Sequence, residues 1–254
     1  MARIFTVANP KGGVGKTDVA VNLSSCLADL GKKTLLIDID PQSNATHYLL
    51  QTKPKKTVCD LLLQEDTKLK EIIYKTDVKN LFIVPGDKRL NAVRAELLND
   101  VGMQFKLKKK LKNEKGYDYI IIDTPPSLDP LTINALTASH GVIVPVQVHY
   151  LAVEGMEKLM ETVNAIKREI NPKLSIIRYV LTMFDKRKNI CREVAQKVKE
   201  YFKDNVFRTK IRENVRLAEA PGFGKTIEEF APKSHGAEDY LKLTREIIKQ
   251  EKRK

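Results

Sequence analysis

A short apolar run, Ile4-Phe5-Thr6-Val7-Ala8, feeds directly into Pro10-Lys-Gly-Gly-Val-Gly-Lys-Thr17. A β-branched run closing on a glycine-rich turn and then Lys-Thr commits the chain to strand, loop and helix in immediate succession. Glycines at 12, 13 and 15 let successive backbone N–H groups converge on one point without Cβ clashes, which makes a cradle for phosphate oxygens. The start of the following helix adds partial positive charge. In such a cradle Lys16 reaches the β- and γ-phosphates and the Thr17 hydroxyl binds Mg²⁺. The loop is short before its first glycine, and a second lysine, Lys11, stands beside that glycine. A plain tight turn is the competing reading; the flanking strand, the Lys-Thr pair and the amphipathic helix weigh against it.

Downstream, apolar β-rich runs alternate with helical patterns. Strands are expected at 3–8, 33–38, 81–85, 118–123, 141–147, 175–183 and 206–211. Helices are expected at 16–31, 57–64, 67–74, 90–112, 132–139, 151–170, 190–203, 214–220 and 235–251. This alternation predicts an α/β fold with a doubly wound, mostly parallel sheet and helices on both faces. The fully apolar Tyr119-Ile120-Ile121-Ile122 suits a central strand covered on both sides. With 254 residues, 42% of them hydrophobic, and no repeat or linker, residues 1–254 read as one domain with a single sizeable core. The three cysteines, Cys26, Cys59 and Cys191, offer neither a disulfide framework nor a Cys-x-x-Cys metal pair, which fits a reducing cytoplasm. No apolar run reaches the roughly 18 residues of a membrane span, and a strand beginning at residue 3 leaves no room for a signal peptide.

The second expected strand ends Ile37-Asp38-Ile39-Asp40-Pro41-Gln42. In an open parallel sheet, ligands collect at the carboxyl ends of strands. Asp40 is therefore the candidate for positioning an attacking water, and Asp38 for supporting Mg²⁺. A turn cap before Pro41 is the plainer alternative for Asp38. Another strand ends Ile122-Asp123-Thr124-Pro125-Pro126-Ser127, which makes Asp123 a second carboxylate for the Mg²⁺ surroundings. The two prolines stiffen a loop able to sense a γ-phosphate.

Together, Lys11-Gly-Gly-Val-Gly-Lys-Thr17, Asp38-Ile-Asp-Pro-Gln42 and Asp123-Thr-Pro-Pro-Ser127 resemble the ParA/Soj family of DNA-partitioning ATPases. The resemblance continues through Leu131-Thr-Ile-Asn-Ala-Leu136, Val144-Pro-Val-Gln147 with Glu154-Gly155, and Leu181-Thr-Met-Phe-Asp185. It extends to Asn214-Val-Arg-Leu-Ala-Glu-Ala-Pro221 and Gly236-Ala-Glu238, so that it covers nearly the whole chain. It implies a P-loop NTPase fold of the deviant Walker A type, with ATP and Mg²⁺ as cofactors and an ATP-dependent sandwich homodimer. Lys11, Gly12, Gly13, Val14, Gly15, Lys16, Thr17 and Asp18 would then line the nucleotide, with Lys11 reaching across to the other protomer's phosphates. Lys11, Lys16 and Asp40 would serve hydrolysis, Thr17, Asp38 and Asp123 the metal, and Thr182, Met183, Arg212 and Asn214 the base. The resemblance further implies nonspecific binding to double-stranded DNA and stimulation by a ParB-like centromere-binding partner. The setting would be cytoplasmic and nucleoid-associated, and the task segregation of plasmids or chromosomes. MinD-type ATPases share the nucleotide half but match the last third less well; a membrane-positioned regulator of that kind is the alternative.

The chain departs from the family pattern at three places. Asp18 stands where a second Thr or Ser is usual near the α-phosphate. A carboxylate is locally favourable at a helix N-terminus, yet beside a triphosphate it repels. Weakened nucleotide affinity and a solvent-facing Asp without contact are both open readings. His149 replaces a common Glu and receives no role. Ile211-Arg212-Glu213-Asn214 lacks the proline usual in the segment that resembles the adenine pocket.

The formal charge of +13 points to a polyanionic partner or to a lysine-rich solvated surface. Residues 186–254 hold 19 lysines and arginines against 11 acidic residues, so most of the excess lies in the last third. Arg187 and Arg216 match family positions implicated in DNA binding, with Lys186 and Lys188 beside them. Aromatic residues are not interleaved, so phosphate contact without base readout is expected. The tract Lys106-Leu-Lys-Lys-Lys-Leu-Lys112 reads as a helix with Leu107 and Leu111 inward and a solvated basic face, or as a second DNA contact. The last helix carries Tyr240, Leu243 and Ile247 at helical spacing; core packing is preferred there to a membrane-binding face.

Overall fold

A computed structural model describes residues 2–149, 156–174 and 176–252. Its eight strands are β1 (Arg3–Val7), β2 (Thr34–Asp38), β3 (Tyr74–Lys75), β4 (Leu81–Val84), β5 (Tyr119–Asp123), β6 (Gly141–Gln147), β7 (Ile176–Phe184) and β8 (Val206–Arg212). They lie in one sheet in the order β3-β4-β2-β5-β1-β6-β7-β8. Every pairing is parallel except that of β3 with β4. The crossovers carry α1 (Lys16–Asp29), α2 (Asn44–Leu49), α3 (Val58–Leu63), α4 (Leu90–Leu98), α5 (Lys106–Leu111), α6 (Pro130–Ala138), α7 (Met156–Glu169) and α8 (Asn189–Phe202). After β8 come α9 (Val215–Glu219), α10 (Ile227–Phe230) and α11 (His235–Glu251).

Alternate strand residues point to opposite faces, and this splits the expected single core into layers. Phe5, Val7, Leu36 and Ile121 pack with Val19, Leu23 and Leu27 of α1 and Tyr240, Leu243 and Ile247 of α11. Ile4, Leu35, Ile37, Ile120 and Ile122 face α3 to α6 through Leu61, Val93, Leu107 and Ala135. A third cluster joins Val142, Val144 and Val146 of β6 to α7 and α8. Each central strand is thus apolar on both sides, as the isoleucine run of β5 requires.

Several expected elements differ. The helix over 90–112 is broken: Gly102 adopts φ 81 between α4 and α5, a conformation that costs glycine little. The helix at 67–74 is a single 3-10 turn, Leu69–Glu71, followed by β3. The short helices α2 and α10 are not legible from apolar periodicity because each spans barely more than one turn. Residues 150–155, which include the Glu154-Gly155 pair and the start of the helix placed at 151–170, lie outside the described residues, as do Arg253 and Lys254 at the end of the basic tail.

The apolar face of α11 is consumed by α1 and β8, with Tyr240 and Leu243 almost fully buried. That packing leaves no apolar stripe of this helix for a lipid surface. No helix among the described residues is long and apolar enough to cross a membrane. Leu243→Ala should therefore lower stability by about 2–5 kcal/mol, measured by urea unfolding; a loss below about 1 kcal/mol would show that this face is not core.

Candidate functional site

The parallel order places the carboxyl ends of β1, β2 and β5 side by side, with Asp38 opposite Asp123 and Val7 opposite Asp123 in register. The loop after β1 is pinned at both ends. Asn9 donates from Nδ2 to the Pro145 carbonyl (2.7 Å) and accepts the Lys11 N–H at Oδ1 (2.9 Å). The Thr182 hydroxyl donates to the Val14 carbonyl (2.9 Å), tying the loop to the end of β7. Gly13 and Gly15 take φ 72 and 84, where a side chain would be strained. Gly15 also accepts the Val19 N–H (2.9 Å) and opens α1, whose first N–H groups have no side-chain cap. They point toward the loop and are left for an anion.

The Lys16 ammonium bends back to donate to the Lys11 carbonyl (2.9 Å). Burial lowers its pKa, while Asp123 and Asp40 oppose that shift. Asp123 is fully buried and neither of its carboxylate oxygens has a hydrogen-bond partner. Burial first, then the neighbouring Asp38, push its pKa well up. Two orphaned carboxylate oxygens at a strand end, with the Thr17 hydroxyl in the first turn of α1, form the all-oxygen donor type that Mg²⁺ prefers. Asp40 is almost buried, accepts the Gln42 N–H at Oδ1 (2.9 Å), and is raised by burial, with that N–H and Lys16 opposing.

Of these groups Lys16, Thr17 and Asp40 line a cavity of about 330 Å³, with Gly12, Gly13, Gly15, Asp18, Gln42, Asn44, Pro126 and Met183 completing its wall, while Asp123 is buried off it. The structure gives Asp38 another occupation. Its Oδ2 accepts both the N–H (2.8 Å) and the hydroxyl (2.7 Å) of Thr46, and its Oδ1 accepts the Asp40 N–H (3.1 Å). Asp38 thus also holds the β2–α2 turn, beside the support of Mg²⁺ expected of it. Thr46 in turn accepts the Gly86 N–H (2.9 Å), and a Cβ at Gly86 would lie 2.8 Å from the Asp38 carbonyl. Only a glycine fits there.

The four residues expected at the base lie at the carboxyl ends of two neighbouring strands, β7 and β8, where Arg212 is in register with Phe184. Thr182 and Met183 stand at the loop, Met183 with φ 53 at the end of β7. Arg212 is taken up by α11, with Asp239 (2.6 and 2.8 Å) and Glu238 (2.6 Å) filling its guanidinium fork. Asn214 caps α9 by accepting the Arg216 N–H (2.9 Å) and lies in a different hollow with Ser234 and His235. Arg212 and Asn214 thus each carry a structural contact of their own, to α11 and to the start of α9.

On the same carboxyl edge, Lys186, Arg187 and Lys188 occupy the turn from β7 to α8, and Arg216 the first turn of α9. All four are exposed. Arg187 is held by Asp185 (2.8 Å), Lys188 by Glu213 (2.6 Å) and Arg216 by Glu219 (2.9 Å), so the surface is less cationic than the count of basic residues suggests. Residues missed by sequence reasoning include Asn9, Thr46, Gly86 and Asp129. Asp129 caps α6 by accepting the Leu131 N–H (3.0 Å) ahead of Pro130. Its Asp-Pro signal is readable in the sequence; the other three carry no local signature.

A glycine loop after the first strand, with lysine, hydroxyl and orphaned carboxylate converging on it, defines a phosphate-binding-loop nucleotide-binding protein. The AAA domain family matches residues 2–176. The chain is 46% identical over 250 residues to the sporulation initiation inhibitor protein Soj of Bacillus subtilis, covering 97% of this chain and 98% of that one. It is 42% identical over 254 residues to the chromosome partitioning protein ParA of Myxococcus xanthus, covering 99% and 89%. A solved structure of cobyrinic acid a,c-diamide synthase from Mycobacterium smegmatis with ADP and magnesium superimposes with TM-score 0.87 at 31% identity, covering 99% of this chain and 96% of that one. The chain belongs to the Soj/ParA family of chromosome-partitioning ATPases.

Asp18 lines the cavity rather than facing solvent, and burial pushes its carboxyl up to about 6. An acid raised in the folded state binds its proton more tightly there, so its ionisation weakens the fold as pH rises from about 4 to about 6. Asp18→Asn should stabilise the nucleotide-free protein at pH 7 by on the order of 2 kcal/mol, and the gain should vanish below about pH 4. Urea unfolding across that range checks this; a gain independent of pH would refute it.

Proposed function

We propose that residues 1–254 work as one Mg²⁺-dependent ATPase that segregates DNA, closing as a homodimer on ATP and opening after hydrolysis. The observation that carries this reading is the juxtaposition of Lys16, Thr17 and the uncapped start of α1 around one cavity, with the buried Asp123 beside Lys16 and Thr17. Lys16 exchanges its bond to the Lys11 carbonyl for phosphate oxygens, which frees Lys11 to move. The loop N–H groups from Gly12 to Thr17 bind the β-phosphate. Thr17 and Asp123 would hold Mg²⁺, which neutralises charge on the β- and γ-phosphates when bound. Asp40, beside the cavity and fixed by the Gln42 N–H, orients the attacking water and accepts its proton. Lys11, which makes no ion pair among the described residues, extends to the other protomer's phosphates, where a cation lowers the charge that builds up in the transition state.

ATP then favours the dimer because only the closed pair supplies the second lysine. The dimer joins two copies of the Lys186–Lys188 and Arg216 surface, and we assign to it nonspecific contact with duplex phosphates. A ParB-like partner would accelerate hydrolysis and release the DNA, and the protein would reside in the cytoplasm on the nucleoid. Buried Tyr240 and Leu243 in α11 speak against the MinD-like membrane reading.

DNA binding by the purified protein with ADP, ATP and a slowly hydrolysed analogue tests the proposal. Retention should appear only with the triphosphates and fall steeply with salt; equal retention with ADP would defeat it. Lys11→Ala should bind ATP yet stay monomeric by light scattering, and normal ATP-driven pairing would remove its assigned role. Replacing Arg187 and Arg216 together with Glu should abolish DNA retention and leave ATP binding intact; unchanged retention would place the DNA surface elsewhere.

A further inference from the structure

At the opposite edge of the sheet from the phosphate loop, beneath the amino ends of β1 and β5, a cavity of about 410 Å³ opens into the core. Its floor is apolar: Ile4, Leu111, Ile120 and Ala138. Ile4 and Ala138 each keep 8% exposure although they belong to the cluster beneath α3 to α6, whose other members are mostly sealed. The core therefore has a hole in its wall here. A cavity of this size lies in the range of about 300–1,000 Å³ usual for small-molecule sites.

The mouth is cationic. Lys108, Lys109 and Lys112 stand on one side, on and just after α5, and Lys173 on the other, before β7. Two other lysines of the same tract are already engaged: Lys106 pairs with Asp100 (2.7 Å), and Lys110 donates to the carbonyls of Gln64, Glu65 and Thr67. The four at the mouth make no ion pair among the described residues. Burial and the nearby Lys173 both lower the Lys108 pKa, and the Lys108 ammonium lies 5.8 Å from the centre of the Phe105 ring on the same wall. His140 accepts the Ile4 N–H at Nδ1 (3.1 Å), which leaves Nε2–H as a neutral donor on the same wall. Glu114 is the one acid lining the cavity, and it accepts the Gly116 N–H (2.7 Å).

We propose that this cavity binds an amphipathic anion, an acyl carboxylate whose chain enters between Ile4, Leu111, Ile120 and Ala138 and whose head lies between Lys108 and Lys173. An apolar floor rewards the chain, and the unpaired ammonium groups orient the head. The site does not share a residue with the nucleotide cavity, so its occupation and ATP binding are separable.

Calorimetric titration of the full chain with decanoate, kept below micelle-forming concentrations, tests this. Saturable binding at one site per chain is expected. Lys108→Gln combined with Lys173→Gln should weaken it about tenfold, and the same pair should leave decanol binding unchanged. Ala138→Leu, which fills the floor, should abolish binding of both. Because that change can disturb folding, the surface lysine pair carries the test, with unaltered ATP binding and thermal unfolding as the check on the fold. Absence of saturable decanoate binding, or equal affinity in the lysine variant, overturns the proposal. So does lysine-dependent sedimentation with anionic phospholipid vesicles without decanoate binding, which would make the mouth a membrane-facing patch.

Discussion

Asp38 and Asp123 lie side by side at the ends of β2 and β5, both fully buried. Two carboxylates cannot both ionise in such a place without compensation. The protein resolves the conflict asymmetrically. Asp38 receives three hydrogen bonds, from Thr46 and the Asp40 backbone, and becomes part of the scaffold. Asp123 has no partner at ordinary hydrogen-bond geometry, and the nearby Thr17 hydroxyl and Lys16, with whatever cation enters, are what can balance it. The loop, the start of α1 and the β2–α2 turn are all arranged around that one unsatisfied acid.

The same economy explains why Lys16 rests on the Lys11 carbonyl. A buried ammonium needs acceptors, and without phosphate the loop's own backbone supplies one. Ligand entry therefore exchanges one set of acceptors for another, so the loop need not fold anew. Asp18 complicates this balance. It adds a partly buried negative charge to the wall of a cavity otherwise built for anions. In the nucleotide-free state it is a source of stored electrostatic cost, set close to the site where a phosphate would feel it.

Most of the sheet is legible in the order of residues. β5 declares itself by Ile120-Ile121-Ile122, and seven of the eight strands among the described residues fall on the expected runs. The glycine loop, Lys16, Thr17 and Asp123 are legible because each is tied to a strand end. The break in the helix over 90–112 is hidden because Gly102 interrupts a periodic pattern without changing its composition. β3 is hidden because two residues paired at an edge leave no alternation to see. Arg212 escapes for a different reason: its partners Glu238 and Asp239 lie more than twenty residues away, on α11.

What the sequence alone determined was the succession of strand, phosphate loop and helix, and the presence of acids at strand ends, since those depend on backbone geometry and on neighbours within a few residues. Which acid stays free, which arginine is already claimed, and where the core remains open under Lys108 and Lys173 were decided only by tertiary structure. Hydrogen bonds and ion pairs go to whichever partner the crossovers bring within about 3 Å, and no local pattern records that distance.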